Sequence, residues 1–211
     1  MTTVPGILVL ERLRAAPLRR KPFDFVVIED FVAASAIPTL VAEFPAVGGH
    51  GSYPLDLTSC GPAFAALAAE LEGEALRAAI EDKFGVDLAG RPTIITLRGY
   101  SDGKDGRIHT DSVTKIVTLL LYLNPEWREE GGRLRLLRGP DDIDDYAAEI
   151  APQAGAMVAF RRSDRSFHGH RAHVGPRRVV QLNWVTDQRV ADREMRRHDW
   201  SARLKALNPF A

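Results

Sequence analysis

The chain has one cysteine in 211 residues, which excludes an intrachain disulfide framework and a cysteine-based zinc site. It also has no charge excess. Lys plus Arg equals Asp plus Glu at 28 each, whereas a dedicated nucleic-acid binder carries a basic surplus or stripe. No apolar run approaches the ~20 residues of a membrane span. The short run Ile7 to Leu10 has no positive charge before it, so neither signal peptide nor anchor is expected. Internal repeats, low-complexity tracts and Gly/Ser linkers are absent too. What remains is ordinary globular composition, 45% hydrophobic and 27% charged, in a length suited to one domain. The expectation is a cytoplasmic protein with no nucleic-acid or membrane partner.

The pattern divides at residue 93. Before it, Phe23 to Phe31 reads as an early strand and Ala33 to Phe44 as a helix with Pro38 in its first turn. Pro62 to Phe84 is the strongest helical segment, with Phe64, Leu67, Leu71, Leu76 and Ile80 at helical intervals. Gly73 weakens its middle and Gly85 stops it. From Thr93 the period becomes two. Thr93 to Tyr100, Lys115 to Leu123, Arg133 to Leu137, Ala156 to Phe160 and Arg177 to Val185 read as strands separated by turn residues. Asp187 to Leu207 is polar and reads as a helix bearing Arg193, Arg196, Arg197 and Arg203. The fold expected is α+β within a single domain: 1–92 an N-terminal strand and helices, 93–186 a β core, 187–211 a C-terminal polar helix.

Three strands each have an apolar face and a mixed face. Arg177, Val179, Gln181 and Asn183 share one; Ile116, Thr118, Leu120 and Tyr122 another; Thr96, Arg98 and Tyr100 a third. Around a polar cavity such faces would point inward. Reactive groups gather near them. His109 and Asp111 stand two apart just before a strand, and His168 follows 57 residues after Asp111. Two imidazoles and one carboxylate with open positions form a facial triad suited to non-haem Fe(II). His170 competes with His168 for the third place. The aromatic residue before His168 and its spacing to Arg177 favour His168.

From Leu97 to Trp184 the chain resembles the Fe(II)/2-oxoglutarate-dependent oxygenases, in their prolyl 4-hydroxylase-like branch. The stations are Gly99-Tyr100 leading to His109-Thr110-Asp111, then Leu119 to Pro125 with Trp127, and Glu130-Gly131-Gly132-Arg133-Leu134. Pro152 with Gly155 and Met157 to Phe160, Ser166 to Gly169, and Arg177-Arg178-Val179 follow in order. The resemblance implies a double-stranded β-helix (jelly-roll) core flanked by N-terminal helices. It implies Fe(II) on His109, Asp111 and His168 as the catalytic set, with 2-oxoglutarate and O2 as cosubstrates and ascorbate as a reductant for the iron. The distal carboxylate of 2-oxoglutarate would meet an arginine nine or ten residues after His168. Parity on the strand chooses Arg177 over Arg178, with Tyr122, Thr118 and Tyr100 as further cofactor-binding candidates. The activity implied is hydroxylation of a C–H bond, in a prolyl residue or a small metabolite, with release of succinate and CO2. The alternatives are a non-catalytic jelly-roll binding or sensing domain, and a cupin-like metal enzyme without 2-oxoglutarate. Gly139 to Asp145 is expected to be mobile without substrate, its aspartates either neutralising the arginines near the mouth or folding over the site. Arg161, Arg162, Arg165 and Arg171 are expected to flank the mouth.

Overall fold

A computed structural model describes residues 6–47 and 49–196. Nine strands and four helices are fully contained in them: α1 Leu10–Ala15, β1 Phe25–Ile28, α2 Ile37–Ala42, β2 Tyr53–Pro54, α3 Pro62–Leu71, α4 Glu74–Phe84, β3 Thr93–Ser101, β4 Lys115–Tyr122, β5 Leu134–Leu137, β6 Tyr146–Ile150, β7 Met157–Arg161, β8 His168–Gly169 and β9 Gly175–Val185. A further helix covers 188–196, and the extension expected through Arg197, His198 and Arg203 to Leu207 lies outside the described residues. Gly73 does divide the long helical segment, serving as N-cap of α4, and Gly85 closes α4 in the left-handed region at φ 62°.

The strands form two antiparallel sheets, one in the order β1-β7-β4-β9-β3-β2 and a smaller one in the order β6-β5-β8. Together they make the double-stranded β-helix core expected. Alternation along the central strands sorts side chains into two cores. Leu119, Leu121, Val180, Leu182 and Trp184 pack against Leu67, Leu71, Leu76 and Ile80 of the helices. Leu120, Tyr122 and Val179 face the other way and pack between the sheets with Phe25, Leu134, Leu136, Val158 and Phe160. Helices therefore cover one face of the large sheet, and the small sheet covers the other.

Three features differ from the sequence expectation. β2, β6 and β8 are additional strands and α1 an additional helix, β2 and β8 being too short to show a period. A bulge between Lys115 and Val117 of β4 places Ile116 with the helix-side core rather than on the cavity face with Thr118. The acidic loop after β5 is tied down: Asp144 pairs with Arg135 and Arg171, and Asp145 pairs with Arg138 at 2.8 Å. Asp144 thus neutralises Arg171, one of the two roles expected for this loop, and the connection is pinned by ion pairs rather than unpacked.

Asn124 fixes how β9 starts. It is buried, its amide nitrogen donates to the carbonyls of Pro152 (2.6 Å) and Arg178 (3.1 Å), and its oxygen accepts from the Arg178 N–H at 2.7 Å. One side chain thus satisfies three backbone groups and holds the register on which Arg177 depends. Asn124→Leu removes all three bonds, and leaving buried backbone groups unpaired costs about 1–3 kcal/mol each. The expected loss of stability is about 2–5 kcal/mol, read from the urea midpoint; a loss under about 1 kcal/mol would mean that water replaces the amide.

Candidate active site

The site is assembled where the loop ending at Asp111 meets β8. His109 and His168 exchange both backbone hydrogen bonds, His109 N–H to His168 O at 3.0 Å and His168 N–H to His109 O at 2.9 Å. This pairing brings the rings to 4.3 Å between centroids. Gly106 closes the same loop: its φ is +87°, its carbonyl accepts from His170 N–H at 2.9 Å, and a Cβ there would collide with the His170 carbonyl. Only glycine fits that approach.

Each ligand candidate is oriented by its own surroundings. Nδ1 of His109 lies 2.8 Å from the Arg107 carbonyl, and Nδ1 of His168 lies 2.9 Å from the Ser166 carbonyl. A carbonyl can only accept, so both rings carry their proton on Nδ1 and leave Nε2 with a free lone pair. Asp111 accepts from Lys115 Nζ at 2.8 Å on one oxygen and from the Thr118 hydroxyl at 2.5 Å on the other. Its backbone carbonyl accepts from Arg162 Nε at 3.1 Å. Ligand atoms of His109, Asp111 and His168 all lie within 4.8 Å of one another, with the aspartate and His168 buried and His109 exposed. The protonation states suit a cation. Burial alone would raise the Asp111 pKa, but Lys115, His168 and the Thr118 hydroxyl pull it to about 2. Burial takes His168 down to about 4 against the attraction of Asp111. At neutral pH Asp111 is a carboxylate and His168 a neutral imidazole, the forms that ligate a divalent metal.

A cavity of about 110 Å³ runs from this triad to Arg177, lined also by Leu120, Leu134, Val179, Gln181 and His170. Arg177 is buried at its far side, and its Nε donates to the Gly132 carbonyl at 2.8 Å. Its guanidinium carbon lies 5.5 Å from the centre of the Tyr122 ring. Among the described residues no carboxylate lies within ion-pair distance of it, and burial lowers its pKa. The Tyr122 hydroxyl beside it is wholly buried and has no well-aligned partner. Arg178 points the other way, donating to the Val41 carbonyl at 2.9 Å and lying over Phe44.

The structure therefore brings His109, Asp111, His168, Arg177, Tyr122 and Thr118 to one region, with Thr118 on the Asp111 carboxylate. Tyr100 is not brought there. The register shift between Arg98 and Tyr100 carries the end of β3 past the cavity, opposite Pro176, where Tyr100 is 39% exposed and bridges to His50. Of the arginines expected at the mouth, Arg171 is held by Asp144, and Arg162 by Asp164 and the Asp111 carbonyl. Arg161 and Arg165 are exposed. Sequence reasoning misses Lys115, because the β4 bulge re-aims it toward Asp111. It also reads Gly131-Gly132 as a turn only, whereas the Gly132 carbonyl orients Arg177.

A family model described as the 2OG-Fe(II) oxygenase superfamily matches residues 95–186, the span holding every residue of this site. By fold and by sequence the chain resembles these oxygenases, in their prolyl 4-hydroxylase-like form. A prolyl-4-hydroxylase of Pseudomonas putida superposes with a TM-score of 0.59 at 21% identity, over 85% of this chain and 97% of that one. A prolyl 4-hydroxylase of Phytophthora capsici gives 0.59 at 20% identity, over 89% and 70%. HygX of Streptomyces hygroscopicus, solved with nickel and 2-oxoglutarate bound, gives 0.52 at 14% identity, over 76% and 81%. No curated protein matches the chain.

The buried histidines make stability depend on acid. His168 and His170 are both held near 4, each chiefly by burial, against an ordinary value of ~6.5. A depressed folded pKa means that the unfolded chain binds more protons, so stability is full above about pH 6.5 and falls toward pH 4. The metal-free protein should show a falling urea midpoint between pH 7 and 4.5, and His170→Asn should make that fall shallower. A midpoint independent of pH over this window would contradict the burial of the neutral rings.

Proposed function

We propose that the chain is an Fe(II)- and 2-oxoglutarate-dependent dioxygenase that hydroxylates a C–H bond of a prolyl residue or a small metabolite. In balance, substrate C–H, O2 and 2-oxoglutarate give substrate C–OH, succinate and CO2. The observation that carries the reading is Arg177, a buried cation without an anion, facing the same cavity as a preformed facial triad. An uncompensated buried charge costs several kcal/mol, and a carboxylate delivered by a bound ligand offsets it. The guanidinium fork matches a carboxylate with two parallel hydrogen bonds, and the nearby Tyr122 hydroxyl supplies a third.

The residues fit an iron centre. His109 and His168 would present Nε2 and Asp111 a carboxylate oxygen, leaving positions for a keto acid and oxygen. Iron so held would supply the oxygen chemistry. The protein's part is to fix the ligand tautomers through the Arg107 and Ser166 carbonyls. Through Lys115 and Thr118 it also keeps Asp111 ionised, and through Arg177 it aligns the cosubstrate. Leu120, Leu134 and Val179 line the passage between, where exclusion of water strengthens each polar contact. Ascorbate as reductant, a cytoplasmic location, and the lack of nucleic-acid or membrane partners belong to the same reading. No helix among the described residues is long and apolar enough to cross a membrane.

The test is succinate release from 2-oxoglutarate with and without Fe(II), alongside binding of the cosubstrate. Arg177→Ala should weaken apparent 2-oxoglutarate affinity by ~30-fold to a few thousand-fold, about 2–5 kcal/mol for a charge-assisted pair in a cavity. Arg177→Lys keeps the charge without the fork and should lose less. Arg178→Ala should barely change cosubstrate affinity. The reverse order of the two alanine variants would move the carboxylate site, and tight 2-oxoglutarate binding without turnover would favour a sensing domain.

A further inference from the structure

A second cavity, of about 340 Å³, adjoins the first, sharing Thr96, Arg98, His109, Asp111 and Gln181 with it but not Arg177. Its walls are polar. His109, Asp111 and Lys115 form one side, and Thr96, Arg98, Gln181 and Asn183 come from the inward faces of β3 and β9. Glu194 also lines it and has a partner of its own. Only Ile94 and Val185 contribute large apolar side chains, and among the described residues no Phe, Tyr or Trp lines it.

Two amides in this cavity each keep one atom open to it among the described residues. Asn183 is only 3% exposed, and one of its amide atoms lies 3.0 Å from the Thr118 oxygen and 3.2 Å from the Gln181 amide. The Thr118 hydroxyl gives its single proton to Asp111, so the atom facing it is the Asn183 nitrogen, which donates. The Asn183 oxygen and the far atom of the Gln181 amide make no hydrogen bond among the described residues. They are open to the cavity and offer hydrogen bonds to a polar occupant. The cations keep donors in reserve as well. Lys115 uses one on Asp111, and Arg98 spends one on Asp105 at 3.0 Å with a long second contact to Ser52 at 3.4 Å.

We infer that the substrate is a small, freely diffusing molecule bearing a carboxylate and at least one further polar group. Its carboxylate meets Arg98 and Lys115, and its other polar group meets the amides of Gln181 and Asn183. The inference rests on the oxygenase reading and narrows it. A prolyl residue within a protein could pair its backbone with the amides, but it would bring no charge to the two cations of this wall. A free acid of amino-acid size satisfies them.

The experiment supplies Fe(II) and 2-oxoglutarate and measures succinate release on adding three kinds of probe. These are the free proteinogenic amino acids, short-chain α-hydroxy acids, and N-acetyl-Ala-Pro-Ala-amide. At least one free acid should raise succinate release several-fold, while its carboxamide and the prolyl peptide do not. In calorimetry on the Mn(II)- and 2-oxoglutarate-loaded protein, Gln181→Leu and Asn183→Leu should each weaken binding of that acid about tenfold. Their effect on 2-oxoglutarate binding should be smaller. Stimulation by the peptide and by no acid, or equal stimulation by acid and carboxamide, overturns the inference. So does a complete lack of response from the acids in a protein that binds 2-oxoglutarate and releases succinate slowly by itself. If 2-oxoglutarate neither binds nor is consumed, the oxygenase reading fails first and takes the inference with it.

Discussion

The antiparallel pairing of β4 with β9 is the constraint from which the rest follows. These strands lie at the centre of the large sheet, and each must serve two environments at once. Leu119, Leu121, Val180, Leu182 and Trp184 supply an apolar face that the helices cover. The opposite face is then free to hold Thr118, Tyr122, Arg177, Gln181 and Asn183 inside the molecule. A slip of one residue would exchange the two sets, burying arginine among leucines and turning tryptophan toward the metal candidates. The register Thr118 opposite Asn183 and Tyr122 opposite Val179 is therefore a functional arrangement as much as a structural one.

Keeping polar groups inside a protein is costly unless each is answered. Here most of the answers are internal and specific. Asp111 has Lys115 and Thr118, Arg98 has Asp105, Arg135 has Glu149 at 2.7 Å, and Arg178 has a backbone carbonyl and an aromatic face. Arg177 has no carboxylate partner among the described residues, and the Tyr122 hydroxyl beside it has no hydrogen bond. Gln181 and Asn183 keep amide atoms open to the adjoining cavity. These groups differ from the paired polar network around them in facing space that a ligand could fill.

Much of this is legible in the sequence because period-two alternation carries information about faces. Arg177 and Arg178 are adjacent and chemically identical, yet parity with Gln181 and Asn183 distinguishes them. The triad is legible because His109, Asp111 and His168 flank strands at an ordered spacing. What stays hidden lies at bulges and in short elements. The shift at Arg98 and Tyr100 removes Tyr100 from the site, and the shift at Lys115 and Val117 brings Lys115 in; neither leaves a mark in the residue pattern. β8 has two residues, too few for any period, although it carries His168. β6 reads Tyr-Ala-Ala-Glu-Ile, half-buried over most of its length and weakly β-forming, and its partner β5 determines its conformation. In the acidic loop the composition points to the pairing with Arg171, but not to that with Arg135, which comes from the strand before it.

The two imidazoles illustrate how the backbone preorganises a site. His109 and His168 come from segments far apart in sequence, and side-chain contacts alone would leave their rings free to turn. A pair of exchanged backbone hydrogen bonds sets their separation, and a carbonyl two residues before each histidine sets its tautomer. The same device used twice turns each Nδ1 to the backbone and leaves each Nε2 for a ligand. With Asp111 already ionised by Lys115 and Thr118, little reorganisation is left for a metal to induce. Backbone and side chains of the chain itself thus hold the site's geometry, and its open hydrogen-bonding groups face the two cavities beside it.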